Sequence, residues 1–472
     1  MSEKTVWKGY YQNPKTANLG MDVYAYNPPA DDNFIFDGKL YKGAQDFRTV
    51  EQYRIYKDCG FNTLLAQKGG GFGDEAWETC AAKKVMDNCL AAGVEKVILL
   101  DEALKTLSDT KGDVIGENKK FKTEAELDAF VDSRMKWYRD HPAFFGVQLM
   151  SEPTYIQLKA VGEVYRSIKR VCPKAFVQVG LASMFFRFEE GYEPPYGEEY
   201  DYNQRYEAYV NAYFDETGAD CVLINALPLG DGYSEGLEPY YFRNLQIVAK
   251  VAKKRGAQMH FSMQAFGQYA SGKLTHRYPS AQELNLQIHS HLGFGAKKLV
   301  YDKYWSATEN SLFGAYSPDG FAIMNLDGTP AGLYPEIQRL NAMVKKLSPV
   351  IMNFEHVSDT YAALSPFVTK PMHIKFTLRN QLNNAELEAS HEVAMAYELY
   401  DSKREQYLYV LQNITCPLYG KDLPKQTSKI AFNKNWTKAD VFDGKEWKTV
   451  ALVNGTYTAE LENGEAVYLL PY

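Results

Sequence analysis

Several features are scarce in this chain, and each scarcity excludes a class of protein. No apolar run approaches the ~18 residues that a membrane-spanning helix needs. Residues 1–7 lack the basic and apolar regions of a signal peptide. Lys and Arg number 52 against 59 Asp and Glu. The chain therefore has no global positive charge that would recruit nucleic acid or an anionic membrane, and we expect neither partner.

The cysteines and histidines show no metal-binding pattern. Cys80 and Cys89 are the nearest cysteine pair, and their spacing does not suit a zinc knuckle. His289 and His291 lie two residues apart on a predicted helix and so face different ways. The glycine run at 69–73 lacks the Gly-Lys-Ser/Thr ending of a phosphate-binding loop. We expect no metal and no cofactor.

The six cysteines favour free thiols in a reducing, cytoplasmic location. A secreted protein whose signal peptide has been removed is the alternative. Aromatic residues, in contrast, are abundant: 35 Tyr, 25 Phe and 6 Trp make up 14% of the chain. Such rings can stack on the C–H faces of sugars, although filling of the core explains the same composition.

The first ~350 residues alternate apolar runs with amphipathic helical patterns, which predicts a parallel sheet with crossover helices. There are eight candidate strands, the number that closes a (β/α)8 barrel. We place them at Gly20–Tyr26, Thr63–Gln67, Val97–Leu100, Phe145–Leu149, Ala175–Leu181, Cys221–Asn225, Gln258–Gln264 and Lys298–Tyr304. The predicted helices between them include Asp74–Ala92, Thr123–Arg139, Tyr155–Val171, Asn203–Thr217, Tyr240–Arg255 and Ala281–Phe294.

The pattern changes near residue 349. Short alternating runs follow, with turn signals such as Asp443-Gly444 and Asn454-Gly455 between them. We predict an α/β fold of two domains: a (β/α)8 barrel at 1–348, and a small antiparallel all-β sandwich at 349–472.

The segment 145–154 carries the strongest functional signal. A short apolar strand ends at an acid, Glu152, and a helix start follows: Pro153 suits the first helical position, and Thr154 with Gln157 forms a capping-box pattern. Glu152 is therefore predicted at the carboxyl end of a barrel strand, where barrel enzymes carry their chemistry. The alternative is a carboxylate that only caps the helix.

Glu152 followed by Pro153 after the fourth strand resembles the (β/α)8 glycoside hydrolases of clan A, in which that Glu is the acid/base. Ser280–Tyr304 is similar to the last helix and eighth strand of such barrels, Ala322–Pro330 to the segment before the final helix, and Phe442–Ala466 to the β-sandwich these enzymes append. The resemblance implies a glycoside hydrolase that acts on an oligosaccharide or small glycoside, with Glu152 as general acid/base.

Two positions depart from that pattern. Ser151 stands where clan members have an Asn that binds the sugar 2-hydroxyl. Gln264 ends the seventh strand, where the nucleophilic Glu is expected, and an amide cannot take over that role.

Hydrolysis of a glycoside usually needs two carboxylates. The candidates for the second are Asp101 and Glu102, which end the third strand, and Asp302 in the eighth. A buried salt bridge is the alternative for Asp302. A substrate-assisted reaction oriented by Gln264 or Asn225 is a further route.

Other polar and aromatic residues near predicted strand ends are candidates for substrate binding. Their alternatives are a capping amide for Asn225, a core position for Trp305 and a surface ion pair for Arg277. The full set is Tyr24, Tyr26, Gln67, Ser151, Asn225, Gln264, Arg277, Tyr304 and Trp305.

Three functions compete at this point. The leading hypothesis is a glycoside hydrolase. The second is a non-catalytic carbohydrate-binding barrel that has lost its nucleophile, which Gln264 favours. The third, a metal-dependent sugar isomerase, requires a cluster of His, Asp and Glu that the histidine positions do not favour. The sugar, the linkage, the stereochemical outcome and the oligomeric state stay open.

Overall fold

The structure of the chain is a computed structural model. It describes residues 5–29, 34–36, 39–41, 46–67, 70–184, 201–230, 240–270, 273–306, 322–363, 381–389, 393–415 and 425–472. Within 34–36, 39–41, 269–270 and 273–275, and at 363 and 389, only the backbone is described.

Eight parallel strands form one sheet. From the second strand to the eighth, each strand pairs with the next one along the chain, and the eighth pairs with the first. The first and second strands are not paired in this sheet. The strands are β1 Asp22–Ala25, β2 Thr63–Ala66, β3 Lys96–Leu100, β4 Phe144–Ser151, β5 Phe176–Ala182, β6 Cys221–Ala226, β7 Gln258–Gln264 and β8 Ala296–Asp302. This is the strand order of a (β/α)8 barrel.

Asn62 closes the remaining seam between β1 and β2. Its side-chain amide accepts from the Val23 N–H at 2.9 Å and donates to the Met21 carbonyl at 2.8 Å. Its backbone N–H donates to the Val23 carbonyl at 3.1 Å. One side chain thus replaces part of the missing ladder.

Of the described helices, two precede β1, and at least one follows each strand of the barrel. The helices are α1 Val6–Gln12, α2 Pro14–Ala17, α3 Val50–Asp58, α4 Ala81–Ala92, α5 Glu102–Ser108, α6 Glu124–Met135, α7 Leu158–Val171, α8 Tyr202–Thr217, α9 Tyr241–Arg255, α10 Ala281–Gly293 and α11 Tyr334–Ile351. Two short antiparallel strand pairs lie outside the barrel sheet: Phe34–Phe36 pairs with Lys39–Tyr41, and Gln268–Ala270 pairs with Lys273–His276.

The C-terminal part is entirely β. Its strands are β9 Glu355–Ala363, β10 Ala385–Ala389, β11 Val393–Asp401, β12 Gln406–Asn413, β13 Gln426–Phe432, β14 Lys438–Phe442, β15 Trp447–Ala451, β16 Thr456–Leu461 and β17 Ala466–Pro471. They form a six-stranded sheet in the order β9-β11-β12-β17-β14-β15 and a three-stranded sheet in the order β10-β13-β16. All pairings are antiparallel.

Successive side chains of the central strand β12 point to opposite faces of the six-stranded sheet, and both faces are covered there. Tyr409 and Leu411 pack toward the three-stranded sheet. Leu408 and Val410, on the opposite face, join the main core that also holds the barrel helices. The sheet is therefore the middle layer between the barrel and the small outer sheet.

Helix α10 forms the contact between the barrel and this middle layer. His289 Nδ1 lies 2.7 Å from the Tyr468 hydroxyl. Gln412 donates to the Leu286 carbonyl at 2.9 Å and accepts from the Ser290 hydroxyl at 3.1 Å. Buried polar groups on both sides are thus satisfied across the interface.

The predicted fold class is confirmed: a (β/α)8 barrel precedes an all-β region. Each of the eight predicted strands overlaps an observed one, although β8 ends at Asp302, before Tyr304. Helix α11 runs on to Ile351 and β9 begins at Glu355, so the division after residue 348 stays a prediction.

Candidate active site

Glu152 lies at the mouth of the barrel, immediately after β4. Its backbone adopts φ 56°, a left-handed conformation that costs a non-glycine residue of order 1 kcal/mol. Its N–H donates to the Gly180 carbonyl of β5 at 2.6 Å. The capping box of Thr154 and Gln157 forms just beyond it. The strand end and the capped turn together fix the direction of the carboxyl group.

The Glu152 carboxyl group is partly buried and accepts a hydrogen bond from an amide. Asn225, the penultimate residue of β6, donates from Nδ2 to Glu152 Oε1 at 3.1 Å and to Ser151 Oγ at 3.0 Å. Burial raises the pKa of Glu152 to about 7; the Asn225 hydrogen bond opposes this rise and the negative charge of Asp302 adds to it. Such a carboxyl group holds its proton near neutral pH.

Asp302 is the carboxylate that acts on Glu152 across the barrel. It is the last residue of β8, paired in register with Gln264 of β7, and it is half-buried. Its charge raises the pKa of Glu152, and after burial it is the main cause of the raised pKa of Tyr26. Glu152, Asp302 and Tyr26 are thus coupled electrostatically: the charge of Asp302 acts on Glu152 and on Tyr26, and the charge of Glu152 acts on Tyr26.

A chain of polar side chains runs from the barrel interior to this carboxyl group. The Tyr24 hydroxyl donates to Gln178 Oε1 at 2.6 Å, and Gln178 Nε2 donates to the Tyr26 hydroxyl at 3.4 Å. Tyr26 in turn donates to Asn225 Oδ1 at 3.4 Å. The chain ends at the Asn225 amide that contacts Glu152.

Gly180 leaves the space for this arrangement. A Cβ atom there would lie 3.0 Å from the Tyr26 hydroxyl oxygen and 3.2 Å from Asn225 Oδ1. Gly180 and Gln178 were not among the candidates from sequence. The signal that could have found them is a glycine and an amide at alternating positions within an otherwise apolar strand.

Gln264 is fully buried and its amide is occupied by backbone groups. Its Oε1 accepts from the Leu229 N–H at 2.9 Å. Its Nε2 donates to the carbonyls of Phe266 at 3.1 Å and Arg277 at 3.0 Å. Gln264 therefore fastens the loops that follow β6 and β7.

The Asp101 carboxylate is likewise occupied by hydrogen bonds within the protein. Its carboxylate caps α5 through the Ala103 and Leu104 N–H groups, and it accepts from Arg134 at 3.2 Å and Tyr138 at 3.1 Å. It has no exposed surface. Glu102, the first residue of α5, points to solvent instead.

The remaining candidates lie at different depths. Tyr24 and Tyr304 are 0% exposed, and Tyr304 packs against Tyr56 and Phe61 rather than facing the mouth. Trp305 is 3% exposed and packs on Phe47.

Gln67 and Arg277 are half-buried at the rim. Gln67 donates to Gln148 and accepts from the Asn27 N–H at 3.5 Å. Arg277 forms an ion pair with Glu283 at the start of α10. The structure thus brings together Glu152, Ser151, Asn225, Tyr26 and Asp302, and it holds Tyr24, Gln264, Asp101, Tyr304 and Trp305 in buried positions.

Across the described ranges, no three His, Cys, Asp or Glu side chains are grouped so that they could hold a metal ion. In the same ranges, no helix has both the length and the apolar character that crossing a membrane requires.

The architecture and the strand-end acid define a class of fold: the (β/α)8 barrel followed by a β-sandwich that glycoside hydrolases use. The chain matches an α-amylase from Anoxybacillus at 14% identity with a TM-score of 0.51, over 96% of this chain and 98% of that one. It matches a family 5 glycoside hydrolase from Bacteroides vulgatus at 9% identity with a TM-score of 0.51, over 96% and 88% of the two chains.

A third similar structure is a GH27 β-L-arabinopyranosidase from Geobacillus stearothermophilus, at 10% identity with a TM-score of 0.50, over 98% of both chains. No protein-family model and no curated protein sequence matches the chain. The resemblance to the (β/α)8 glycoside hydrolases is therefore confirmed at the level of the fold, and the fold itself does not carry an activity.

Proposed function

We propose that this chain is a glycoside hydrolase that cleaves an oligosaccharide or small glycoside, with Glu152 as its general acid and Asp302 as the second carboxylate. One observation carries the proposal: a carboxyl group at the barrel mouth has its pKa raised to about 7 while a second acid acts on it. A carboxyl group that keeps its proton, together with a second carboxylate, is what glycoside cleavage requires.

In the proposed reaction, protonated Glu152 gives its proton to the glycosidic oxygen as the bond to the anomeric carbon breaks. The Asn225 N–H then stabilises the carboxylate that remains, because it already donates to Oε1. Asp302 either attacks the anomeric carbon and forms a covalent intermediate or removes a proton from the attacking water. Carboxyl groups about 5–5.5 Å apart give retention, and a gap of about 6.5–9.5 Å gives inversion.

The test is hydrolysis of a broad panel of aryl glycosides and oligosaccharides by the wild type, Glu152→Gln and Asp302→Asn. We expect kcat/KM to fall more than about a hundredfold in each variant on any substrate that the wild type cleaves. NMR of the first anomer released then distinguishes retention from inversion.

Glu102→Gln is the matched control. It makes the same chemical change on an exposed side chain at the first residue of α5, just after β3. It should retain the wild-type rate. A hundredfold loss in Glu102→Gln with full activity in Asp302→Asn would contradict the assignment of Asp302 and favour the third strand as the source of the second carboxylate.

A second candidate is a carbohydrate-binding protein without catalysis. The observation in its favour is the amide at the end of β7, where Gln264 is committed to backbone hydrogen bonds. Sugar binding in a calorimeter by a wild type that cleaves no member of the panel would establish this candidate in place of the hydrolase.

We also propose that the protein works in a reducing, cytoplasmic environment. The support is that Cys59, Cys80, Cys89, Cys172 and Cys221, the cysteines within the described residues, are all free thiols. Cys416 lies outside the described residues.

A further inference from the structure

The hydrogen bonds of the polar chain below Glu152 run in one direction, from Tyr24 to Glu152. A tyrosine hydroxyl carries one proton, and Tyr24 uses its proton on Gln178 Oε1 at 2.6 Å. The Gln178 amide is thereby oriented with its Nε2 toward Tyr26, and it donates to that hydroxyl. The Tyr26 oxygen is the acceptor in this contact, so its own proton is available for Asn225 Oδ1.

The same logic orients Asn225. Its Oδ1 faces Tyr26, and its Nδ2 must therefore face the opposite way, toward Glu152 Oε1 and Ser151 Oγ. An isolated amide can turn over and exchange its oxygen and nitrogen. Here each group determines the next one, and the chain begins at a phenol with no exposed surface.

We propose that Tyr24 and Gln178 are positioning residues: they hold the Asn225 amide so that it presents an N–H to Glu152, and they thereby set the pH at which Glu152 releases its proton. This inference rests on the proposed role of Glu152 as the acid. Tyr24 and Gln178 are 0% and 1% exposed, so they act without contact with a substrate.

Other groups face Glu152 and must be kept constant in a test. Asp302 approaches from β8 and Tyr26 from β1, and both interact electrostatically with the Glu152 carboxylate. The charge of Glu152 also contributes to the raised pKa of Tyr206 in α8. All three side chains are retained when Tyr24 or Gln178 is replaced; Asp302 and Tyr206 lie outside the polar chain, whereas the hydrogen bonds of Tyr26 change with it.

Replacement of Tyr24 by Phe removes the donor that fixes Gln178. The amide can then turn its oxygen toward Tyr26, which donates to it and no longer to Asn225. Asn225 loses the partner that orients it, and the N–H donor to the Glu152 carboxylate is weakened. Because that hydrogen bond favours the charged form, its loss raises the pKa of Glu152.

The experiment is a ¹³C NMR titration of the Glu152 carboxyl group in the full chain labelled with carboxyl-¹³C glutamate, with the signal assigned from its absence in Glu152→Gln. Tyr24→Phe and Gln178→Leu are compared with the wild type. Tyr213→Phe is the matched control, because it removes an equally buried hydroxyl. That hydroxyl donates to the Cys221 carbonyl at 3.1 Å and takes no part in the polar chain below Glu152.

We expect the pKa of Glu152 to rise by about half a unit to one unit in both test variants and to stay at the wild-type value in Tyr213→Phe. An unchanged pKa in a folded Tyr24→Phe or Gln178→Leu protein would overturn the inference, and so would an equal rise in the control. The titration needs no substrate, so it decides the matter even if no glycoside is cleaved and the proposed function fails.

Discussion

Glu152 combines a strained backbone, partial burial and a neighbouring acid. Its positive φ is unfavourable for any residue other than glycine, and its burial and the charge of Asp302 disfavour the charged form of its carboxyl group. Natural proteins retain such a residue where the unfavourable state serves a purpose, and holding a proton near neutral pH is the purpose we propose.

The raised pKa of Glu152 predicts a specific change in stability when the residue becomes Gln. Below about pH 4.3, the unfolded-state pKa of Glu, the acid is protonated in both states and no penalty exists. As pH rises toward about 7, the unfolded chain releases its proton and the folded chain keeps it, so stability falls. Glu152→Gln should therefore exceed the wild type in free energy of unfolding by about 2–3 kcal/mol more at pH 8 than at pH 4.

Urea unfolding at the two pH values measures this difference. Glu102→Gln serves as the control, since its side chain is exposed and should leave the pH dependence of unfolding unchanged. Equal pH dependence in wild type and Glu152→Gln would show that burial does not perturb this carboxyl group.

At the scale of single residues, sequence reasoning identified strand-end polar groups but not their partners. Glu152 and Asp302 were selected because strand ends meet at the barrel mouth. Asp101 satisfies the same rule, yet it is engaged by Arg134, 33 positions away, a contact that no local pattern reveals. Tyr304 was placed at the end of the eighth predicted strand, but β8 already ends at Asp302 and the Tyr304 side chain lies in the core.

At the scale of elements, tight contacts between helices give a second test. Gly162 lies within α7, and a Cβ there would stand 2.4 Å from the Glu216 carbonyl of α8. Gly162→Ala should destabilise the protein by about 1–3 kcal/mol, because the backbone of α8 must shift, which outweighs the ~1 kcal/mol gained in helix propensity.

Gly9→Ala is the matched control within α1, where no atom lies within 4 Å of the added Cβ. It should stabilise the protein by up to ~1 kcal/mol. Chemical denaturation of both variants measures the pair, and a stabilising Gly162→Ala would mean that α7 and α8 are less closely packed than described.

The elements themselves were predictable because each one has a strong local pattern. Helix α10 begins at the expected capping box of Ser280 and Glu283, and β1 to β8 arise from apolar runs of strand length. The layering of the C-terminal sheet against α10 was not predictable. It depends on contacts such as that of His289 with Tyr468, which are 179 positions apart.

At the scale of the whole molecule, buried histidines predict sensitivity to acid. Burial lowers the pKa of His289 and His291 to about 3 each, and burial with the nearby Lys298 lowers that of His260 well below its usual value. All three are neutral in the folded protein near pH 5, whereas the unfolded chain protonates them below about pH 6.5. The contribution of these three histidines to stability is therefore complete above about pH 6.5 and is lost as pH decreases.

Between pH 5 and 7, each such histidine should contribute on average about 1 kcal/mol per pH unit to this loss, or about 3 kcal/mol per unit for the three together. Urea unfolding over this range measures the slope. In His289→Gln, which keeps a hydrogen-bonding group beside Tyr468, the slope should decrease by about 1 kcal/mol per unit. An unchanged slope would indicate that His289 takes up its proton in the folded state.

Helix α10 is enclosed on one side by the barrel and on the other by the middle sheet. That sheet comes from a part of the chain that is translated after the barrel. While the ribosome is still adding residues 393–471, a nearly complete barrel must wait with Leu286 and His289 of α10 uncovered. Surface exposed in this way favours aggregation, so the interval between synthesis of α10 and formation of the sheet is the stage of biosynthesis at which we expect the chain to be most vulnerable.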